Sequence, residues 1–208
     1  MKTLVTMYHG THELFRPVTY EPMLEFAQRH GYRLVEAEIE DHKAHPVWAK
    51  ISTLRHELER NDWVTWLDCD CLVVDQTLDP IHALLPNEFL AILDDMRSGI
   101  CAALFVVRCG PWARAFLDEV WSYRYHDSLE PPATVDFPDW EQGAMRHVLR
   151  EPRFGRGVAM LDYHWAGPMG EGSDPTARLM HGCRQTAETV PDRVRSLRER
   201  YQERIASA

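Results

Sequence analysis

The chain has few cysteines, and they show no pairing pattern. Its 208 residues include five cysteines, an odd number, and no Cys-x-x-Cys pair. This is not a disulfide framework, and a chain of this length does not need one, so we expect reduced thiols, which suit the cytoplasm. A zinc site that combines a histidine with cysteine remains an alternative. The cysteines considered for it are Cys69, Cys71, Cys101 and Cys109.

Long apolar runs are also missing. The strand-like segment that starts at Thr3 follows Met1 and Lys2 directly, without the apolar region of a signal peptide. No stretch approaches the length needed to cross a bilayer. We therefore expect a soluble, cytoplasmic protein without a membrane span.

Basic residues are not in excess. The formal net charge is −9, which argues against nucleic acid as the main partner because phosphate contacts need a basic face. Five arginines crowd residues 186–208, but they alternate with acids at helical spacing. This pattern is more typical of a solvated, charged C-terminal helix than of a binding patch. The arginines are Arg193, Arg195, Arg198, Arg200 and Arg204.

The composition is that of an ordinary globular protein. Hydrophobic residues make up 45% of the chain and charged residues 26%, and 208 residues are enough to bury a substantial core. No linker or internal repeat divides the sequence. We expect one domain over residues 1–208.

The most informative stretch is a strand followed by two acids. Residues 63–67 are an apolar, aromatic and β-branched run of strand length, and Asp68 and Asp70 follow at once. If the backbone stays extended, both carboxylates point to the same side and Cys69 points away. Two converging carboxylates form a hard anionic pocket, which is costly near an apolar strand unless a cation neutralises it. Oxygen ligands favour Mg²⁺, Mn²⁺ or Ca²⁺.

Strands and helices alternate along the rest of the chain, which predicts an α/β fold with a parallel sheet. Predicted strands cover residues 2–8, 32–39, 63–67, 89–93, 102–107 and 157–161, and a second apolar segment covers residues 72–74. Predicted helices cover residues 21–30, 47–60, 79–85, 111–125 and 139–149. The carboxyl ends of parallel strands form the ligand-binding edge of such a sheet.

Several other residues have candidate roles. Asp94 and Asp95 form a second acid pair at a strand end, or else a plain acidic loop. Glu141 and Gln142 lie in the first turn of the helix over 139–149; capping explains the nearby Asp139 but not Gln142. The glycine-rich segment 162–174 is a candidate lid.

Taken together, seven motifs in order resemble the GT-A glycosyltransferases, particularly the galactosyl-, mannosyl- and xylosyltransferases of glycosyltransferase family 34. They span nearly the whole chain. The motifs are Arg29-His30-Gly31-Tyr32, Trp48-Ala49-Lys50-Ile51, the run from Trp63 to Asp70, Phe105-Val106-Val107-Arg108, Glu141-Gln142-Gly143-Ala144, His164-Trp165-Ala166-Gly167 and His181-Gly182-Cys183-Arg184.

The resemblance implies a GT-A, Rossmann-like nucleotide-diphospho-sugar transferase fold with a mostly parallel sheet flanked by helices. It implies transfer of a hexose or pentose from a nucleotide sugar, with UDP-sugars favoured, to a saccharide or other hydroxyl acceptor with retention. By this resemblance Asp68, Asp70 and His181 bind Mn²⁺ or Mg²⁺.

The same resemblance assigns the remaining roles. The donor-binding residues are Thr6, Met7, Tyr8, Lys50, Asp68, Gly182 and Arg184, with residues 6–8 near the base and Arg184 in place of the family's lysine on the phosphates. Glu141 and Gln142 match the pair that the family places near the anomeric carbon.

Two further interpretations remain open at the level of sequence. One is a nucleotide-sugar binding protein without catalysis. The other is a metal-dependent phosphohydrolase that uses Asp68 and Asp70, although aspartyl-phosphate hydrolases place such acids after their first strand.

Overall fold

A computed structural model of the chain describes residues 1–41, 43–94, 99–125, 140–162, 164–168, 178–181 and 189–207. The strands in these ranges are β1 (Lys2–Thr6), β2 (Tyr32–Glu36), β3 (Trp63–Leu67), β4 (Cys71–Val73), β5 (Leu90–Leu93), β6 (Cys101–Arg108), β7 (Val158–Leu161), β8 (Ala166–Pro168) and β9 (Leu179–His181). The helices are α1 (Arg16–His30), α2 (Ala49–Glu57), α3 (Pro111–Ser122), α4 (Trp140–Leu149), α5 (Pro152–Gly155) and α6 (Val190–Ser207). Short 3₁₀ turns cover Gly10–Phe15, Pro46–Trp48 and Pro80–Ala83.

Six strands form the central sheet in the order β2-β1-β3-β6-β5-β7. β1 pairs in parallel with β2 and β3, and β5 pairs in parallel with β7. β6 runs antiparallel to both of its neighbours, β3 and β5. The other five strands therefore share one direction, and the prediction of a mostly parallel α/β sheet is confirmed.

Helices cover both faces of this sheet. One face packs against α2, α3 and α4 through buried residues such as Leu54, Phe116 and Val148. The other packs against α1, through Met23 and Phe26, and against the small sheet β4-β9-β8. The aromatic residues of α3, Trp112, Phe116 and Trp121, are buried or half-buried in this core, so they are not a surface platform.

The predicted element bounds shift at their ends. β1 and β2 are shorter than predicted, and the segment predicted as a helix over 79–85 is only a 3₁₀ turn. α1 begins at Arg16, five residues before the predicted start, with Pro17 in its first turn and Pro22 inside the helix. Pro22 lacks an amide hydrogen, which is why the sequence favours a start next to it. Gly31 ends the helix with φ of 70°, a left-handed conformation that glycine adopts without strain.

α6 packs on the loops that follow β1 and β3. Its buried face meets Phe15, Val18, Cys69 and Leu72 through Leu197, with partly buried neighbours on both sides. The helix thus closes one side of the acid-containing turn. None of the helices in the described ranges is long and apolar enough to cross a membrane.

Candidate functional site

The parallel strands bring their carboxyl ends to one edge of the sheet. Asp68 follows β3 there, Asp94 follows β5 and Asp162 follows β7. Because β6 runs the other way, its first residues, Cys101 and Ala102, lie at the same edge. This is the edge where ligands bind in open α/β sheets.

The chain turns sharply between the two acids. The amide of Asp68 donates to the carbonyl of Ala103 at 2.8 Å, and the amide of Cys71 donates to the carbonyl of Asp68 at 3.0 Å. The second bond closes a four-residue turn over Asp68 to Cys71. The extended backbone expected across Asp68, Cys69 and Asp70 is therefore wrong, because β4 begins immediately and pairs with a different sheet.

A buried lysine joins Asp68 to α4. Lys50 on α2 is only 5% exposed. Its Nζ lies 3.1 Å from Asp68 Oδ1 and 2.9 Å from Glu141 Oε1, and it donates to the carbonyl of Ala102 at 3.1 Å. Burial by itself would lower the pKa of Lys50, but the two carboxylates outweigh burial and raise it, so the ammonium stays charged. Trp66 Nε1 also donates to Asp68 Oδ1, at 2.5 Å.

Glu141 and Gln142, the predicted catalytic pair, both reach this edge of the sheet. Glu141 is buried and paired with Lys50. Gln142 Oε1 accepts a hydrogen bond of 2.8 Å from the amide of Ala102 at the start of β6. The first turn of α4 is thus tied to the strand that neighbours β3.

Asp70 has basic partners of its own. Arg193 of α6 donates from Nη1 to Asp70 Oδ2 at 3.3 Å, and the other oxygen of Asp70 lies 3.6 Å from His181 Nε2. The Nη2 of Arg193 donates to His12 Nε2 at 3.4 Å, and its guanidinium lies over the ring of Phe15. Arg193 is only 7% exposed. For this residue, the expectation of a solvated helix face is wrong.

These groups offer a candidate metal site. One ligand atom from each of Asp70, Cys71 and His181 lies within 4.8 Å of the other two. A carboxylate oxygen and an imidazole nitrogen suit Mn²⁺ or Mg²⁺. Burial raises the pKa of the Cys71 thiol well above its usual range, so its sulfur is the poorest ligand of the three for a hard cation. The residues present therefore fit a hard divalent ion.

The third predicted metal ligand, Asp68, is not part of that group. Its carboxylate oxygen is directed instead to Lys50 and Trp66. For the zinc alternative, only Cys71 among the four cysteines lies in the group. The described residues thus bring together two of the three predicted ligands, Asp70 and His181.

The end of β1 is connected to the acid turn through α1. Tyr8 OH lies 3.0 Å from Thr19 Oγ1, and Thr19 Oγ1 donates to the carbonyl of Cys69 at 2.8 Å. Thr6 is fully buried, and among the described residues its hydroxyl has no hydrogen-bond partner. Met7 is half-buried and packs against the core. The three residues predicted to bind the base lie together beside the turn.

Two predicted donor-binding residues, Gly182 and Arg184, lie outside the described residues, as do Asp95, Asp139 and residues 163 and 169–174 of the candidate lid. Sequence reasoning missed Arg193 as a partner of Asp70 and His12 as a contact of Arg193. For Arg193, the available signal was its spacing from Val190, Val194 and Leu197, which places it on the apolar face of α6. His12 had no signal beyond its place in the first loop.

Comparisons with known proteins agree with this fold. Residues 5–95 match the galactosyl transferase GMA12/MNN10 family. A glycosyltransferase involved in the glycosylation of the major capsid of PBCV-1 is 17% identical and superposes with a TM-score of 0.70, over 95% of this chain and 98% of that chain. This chain has the GT-A fold of these glycosyltransferases.

Other similar structures have lower identity. The galactosyltransferase LgtC, solved with donor and acceptor sugar analogs, is 13% identical, with a TM-score of 0.58 over 100% of this chain and 96% of that chain. The glycosyltransferase GlyE of Streptococcus pneumoniae TIGR4 is 10% identical, with a TM-score of 0.58 over 100% of this chain and 63% of that chain. No curated protein matches this chain in sequence. The resemblance to glycosyltransferase family 34 is confirmed by the match over residues 5–95.

Replacing Lys50 by methionine should destabilise the protein by about 3–5 kcal/mol, because Asp68 and Glu141 would lose their shared buried cation. The raised pKa of Lys50 means that its contribution is complete below about pH 10.4, the pKa of an unfolded lysine, and declines as the pH rises above that value. The stability gap between wild type and Lys50→Met should therefore stay constant up to about pH 10 and shrink as the pH rises above about 10.4. Urea unfolding across this range measures the gap.

The matched control is Lys43→Met, which removes an exposed lysine and should change the stability by less than about 0.5 kcal/mol. A gap for Lys50→Met that stayed constant with pH would show that packing, and not charge, is what the methionine variant loses.

Proposed function

We propose that this domain transfers a hexose or pentose from a nucleotide-diphosphate sugar, with UDP-sugars favoured, to a hydroxyl acceptor, with retention of configuration and with Mn²⁺ or Mg²⁺. The single observation that carries the proposal is the linked arrangement of Lys50, Asp68 and Glu141 beside Asp70 and His181 at the carboxyl edge of the sheet. We further propose that residues 1–208 act as one domain and that it works in the cytoplasm.

The donor fits across this edge from the end of β1 to the end of β3. The base would bind at Thr6, Met7 and Tyr8, where the buried Thr6 hydroxyl is available as a donor. The diphosphate would lie towards Asp68 and Asp70. Asp70 and His181, with Asp68 as a further ligand, would hold a divalent cation, and the chemistry that this cation would supply is Lewis-acid stabilisation of the diphosphate.

The chemistry exchanges one bond at the anomeric carbon for another. The bond from that carbon to the diphosphate oxygen breaks, a bond from the acceptor oxygen forms on the same face, and the acceptor hydroxyl passes its proton to the departing diphosphate oxygen. Gln142 would steady the positive charge that develops on the sugar. Its carbonyl oxygen has two lone pairs, of which the amide of Ala102 uses one. Glu141 would hold Lys50 charged next to the leaving group.

A thermal-shift panel of nucleotide sugars with and without Mn²⁺ tests the donor and the metal together. A ligand that binds only the folded state raises Tm by mass action, so we expect a metal-dependent rise with one nucleotide class. Asp70→Asn should abolish the metal-dependent part. An absence of any shift would instead favour a phosphohydrolase or a domain without donor binding.

Replacing Gln142 by alanine should slow nucleotide release from the donor by about 10²-fold or more, since a group that stabilises charge in the transition state is lost. The donor-induced rise in Tm should remain, because binding of the nucleotide does not depend on this amide. Gln142→Glu keeps an oxygen acceptor for the amide of Ala102. It therefore preserves this contact of the fold while it changes the group that faces the sugar. Unchanged release in Gln142→Ala would remove Gln142 from the mechanism.

The acceptor is proposed to be a saccharide. Trp140 directly precedes Glu141 and is 41% exposed, and its ring stacks on His45 at 4.1 Å and 11°. Burial lowers the pKa of His45, which favours a neutral ring at pH 7. An exposed, rigidly held aromatic ring next to the reaction centre suits the apolar face of a sugar.

Trp140→Ala should therefore weaken transfer to saccharide acceptors while release to water and the donor-induced rise in Tm stay unchanged. Trp140→Phe, which keeps an aromatic face, should retain most of the transfer. A panel of mono- and disaccharides with the identified donor provides the assay. Equal loss of transfer and of release to water would place Trp140 in the fold of the site and not in acceptor binding.

A further inference from the structure

Basic side chains of the protein already pair with both acids of the turn after β3, Asp68 and Asp70. Lys50 pairs with Asp68 and Glu141, and Arg193 pairs with Asp70. Three carboxylates thus face two permanent positive charges in the described part of the site. Only a small negative excess is left to attract a divalent ion.

Arg193 is held firmly in this position. Its guanidinium contacts Asp70 through one nitrogen and His12 through the other, and it lies 5.2 Å above the ring of Phe15. α6 is anchored beside it by Leu197, which is fully buried against the acid turn. An arginine that is nine-tenths buried and fixed on several sides cannot easily swing away from its partner.

The two oxygens of Asp70 are divided between different partners. Oδ2 accepts from Arg193, whereas Oδ1 lies 3.6 Å from His181 Nε2. A cation shared by Oδ1 and His181 would sit within a few ångströms of the guanidinium. Charges of the same sign at that distance repel each other strongly in a partly buried site.

We infer that Arg193 is an internal counter-ion of Asp70 that weakens binding of the divalent cation to the nucleotide-free domain, so that the cation binds together with the donor diphosphate. The inference rests on the proposed metal-dependent function. Arg193 acts on the metal through Asp70 and is therefore a positioning residue. The negative charge of the diphosphate offsets the repulsion, which couples cation and donor binding.

The test measures binding of Mn²⁺ to the nucleotide-free protein by the EPR signal of free Mn²⁺. Arg193→Gln should bind Mn²⁺ at least tenfold more tightly than wild type. Arg193→Lys, which keeps the charge, and Arg195→Gln, which removes an exposed arginine from the same helix, should each stay within about twofold of wild type. Added UDP should tighten Mn²⁺ binding more in wild type than in Arg193→Gln.

Thermal unfolding gives a second readout that does not need catalysis. Without metal, Arg193→Gln should have a lower Tm than wild type, because Asp70 loses its counter-ion, and Mn²⁺ should restore more of the Tm in the variant than it adds to wild type. If the glutamine variant does not fold, Arg193→Met replaces it in both measurements. Arg193→Met keeps the apolar stem over Phe15 and should show the same tighter Mn²⁺ binding and the same change in Tm.

Equal or weaker Mn²⁺ binding in both the glutamine and methionine variants would overturn the counter-ion role alone. Two outcomes would overturn the metal site and with it the inference. One is that neither wild type nor the Arg193 variants bind Mn²⁺. The other is that Asp70→Asn leaves Mn²⁺ binding unchanged in each of these backgrounds. The Asp70→Asn series therefore distinguishes failure of this inference from failure of the proposed function.

Discussion

Burying carboxylates at the end of a strand requires compensating charge, and much of this domain is arranged to supply it. A pair of unit charges 4 Å apart is worth about 4 kcal/mol at the effective dielectric typical near a protein surface, which is a large share of the net stability of a domain. Lys50 comes from α2 and Arg193 from α6, and each meets one acid of the turn after β3. Glu141 brings α4 to the same lysine. Charge compensation thus joins one strand to three helices.

The same contacts fix the shape of the site. Ala102 at the start of β6 accepts from Lys50 through its carbonyl and donates to Gln142 through its amide. The turn also accepts a hydrogen bond from Thr19, which lies next to Tyr8. The base, diphosphate and sugar regions of the proposed donor site are therefore mechanically connected. Because the connected groups are buried, a change in any one of them affects its neighbours as well as the ligand.

Local sequence predicts those parts of this structure that depend on local forces. The strand over 63–67, the acids that follow it and the alternation of strands and helices all follow from patterns of a few residues, and the structure has them. The turn between Asp68 and Asp70 cannot be predicted from the local sequence, because the same residues are compatible with an extended segment. The turn is set by β4, which pairs with β9 more than a hundred residues away in the sequence. The partners of Lys50 and Arg193 are non-local for the same reason.

Internal counter-ions also separate the requirements of folding from those of catalysis. A doubly negative pocket without basic neighbours would need its metal ion to fold, as small zinc domains do. Here Asp68 and Asp70 are each paired within the chain, and apolar burial on both faces of the central sheet supplies the core. Charge compensation of the acid turn is therefore built into the chain. In the proposed function, a cation would then serve donor binding and departure of the diphosphate, and the paired acids would not need it as their counter-ion.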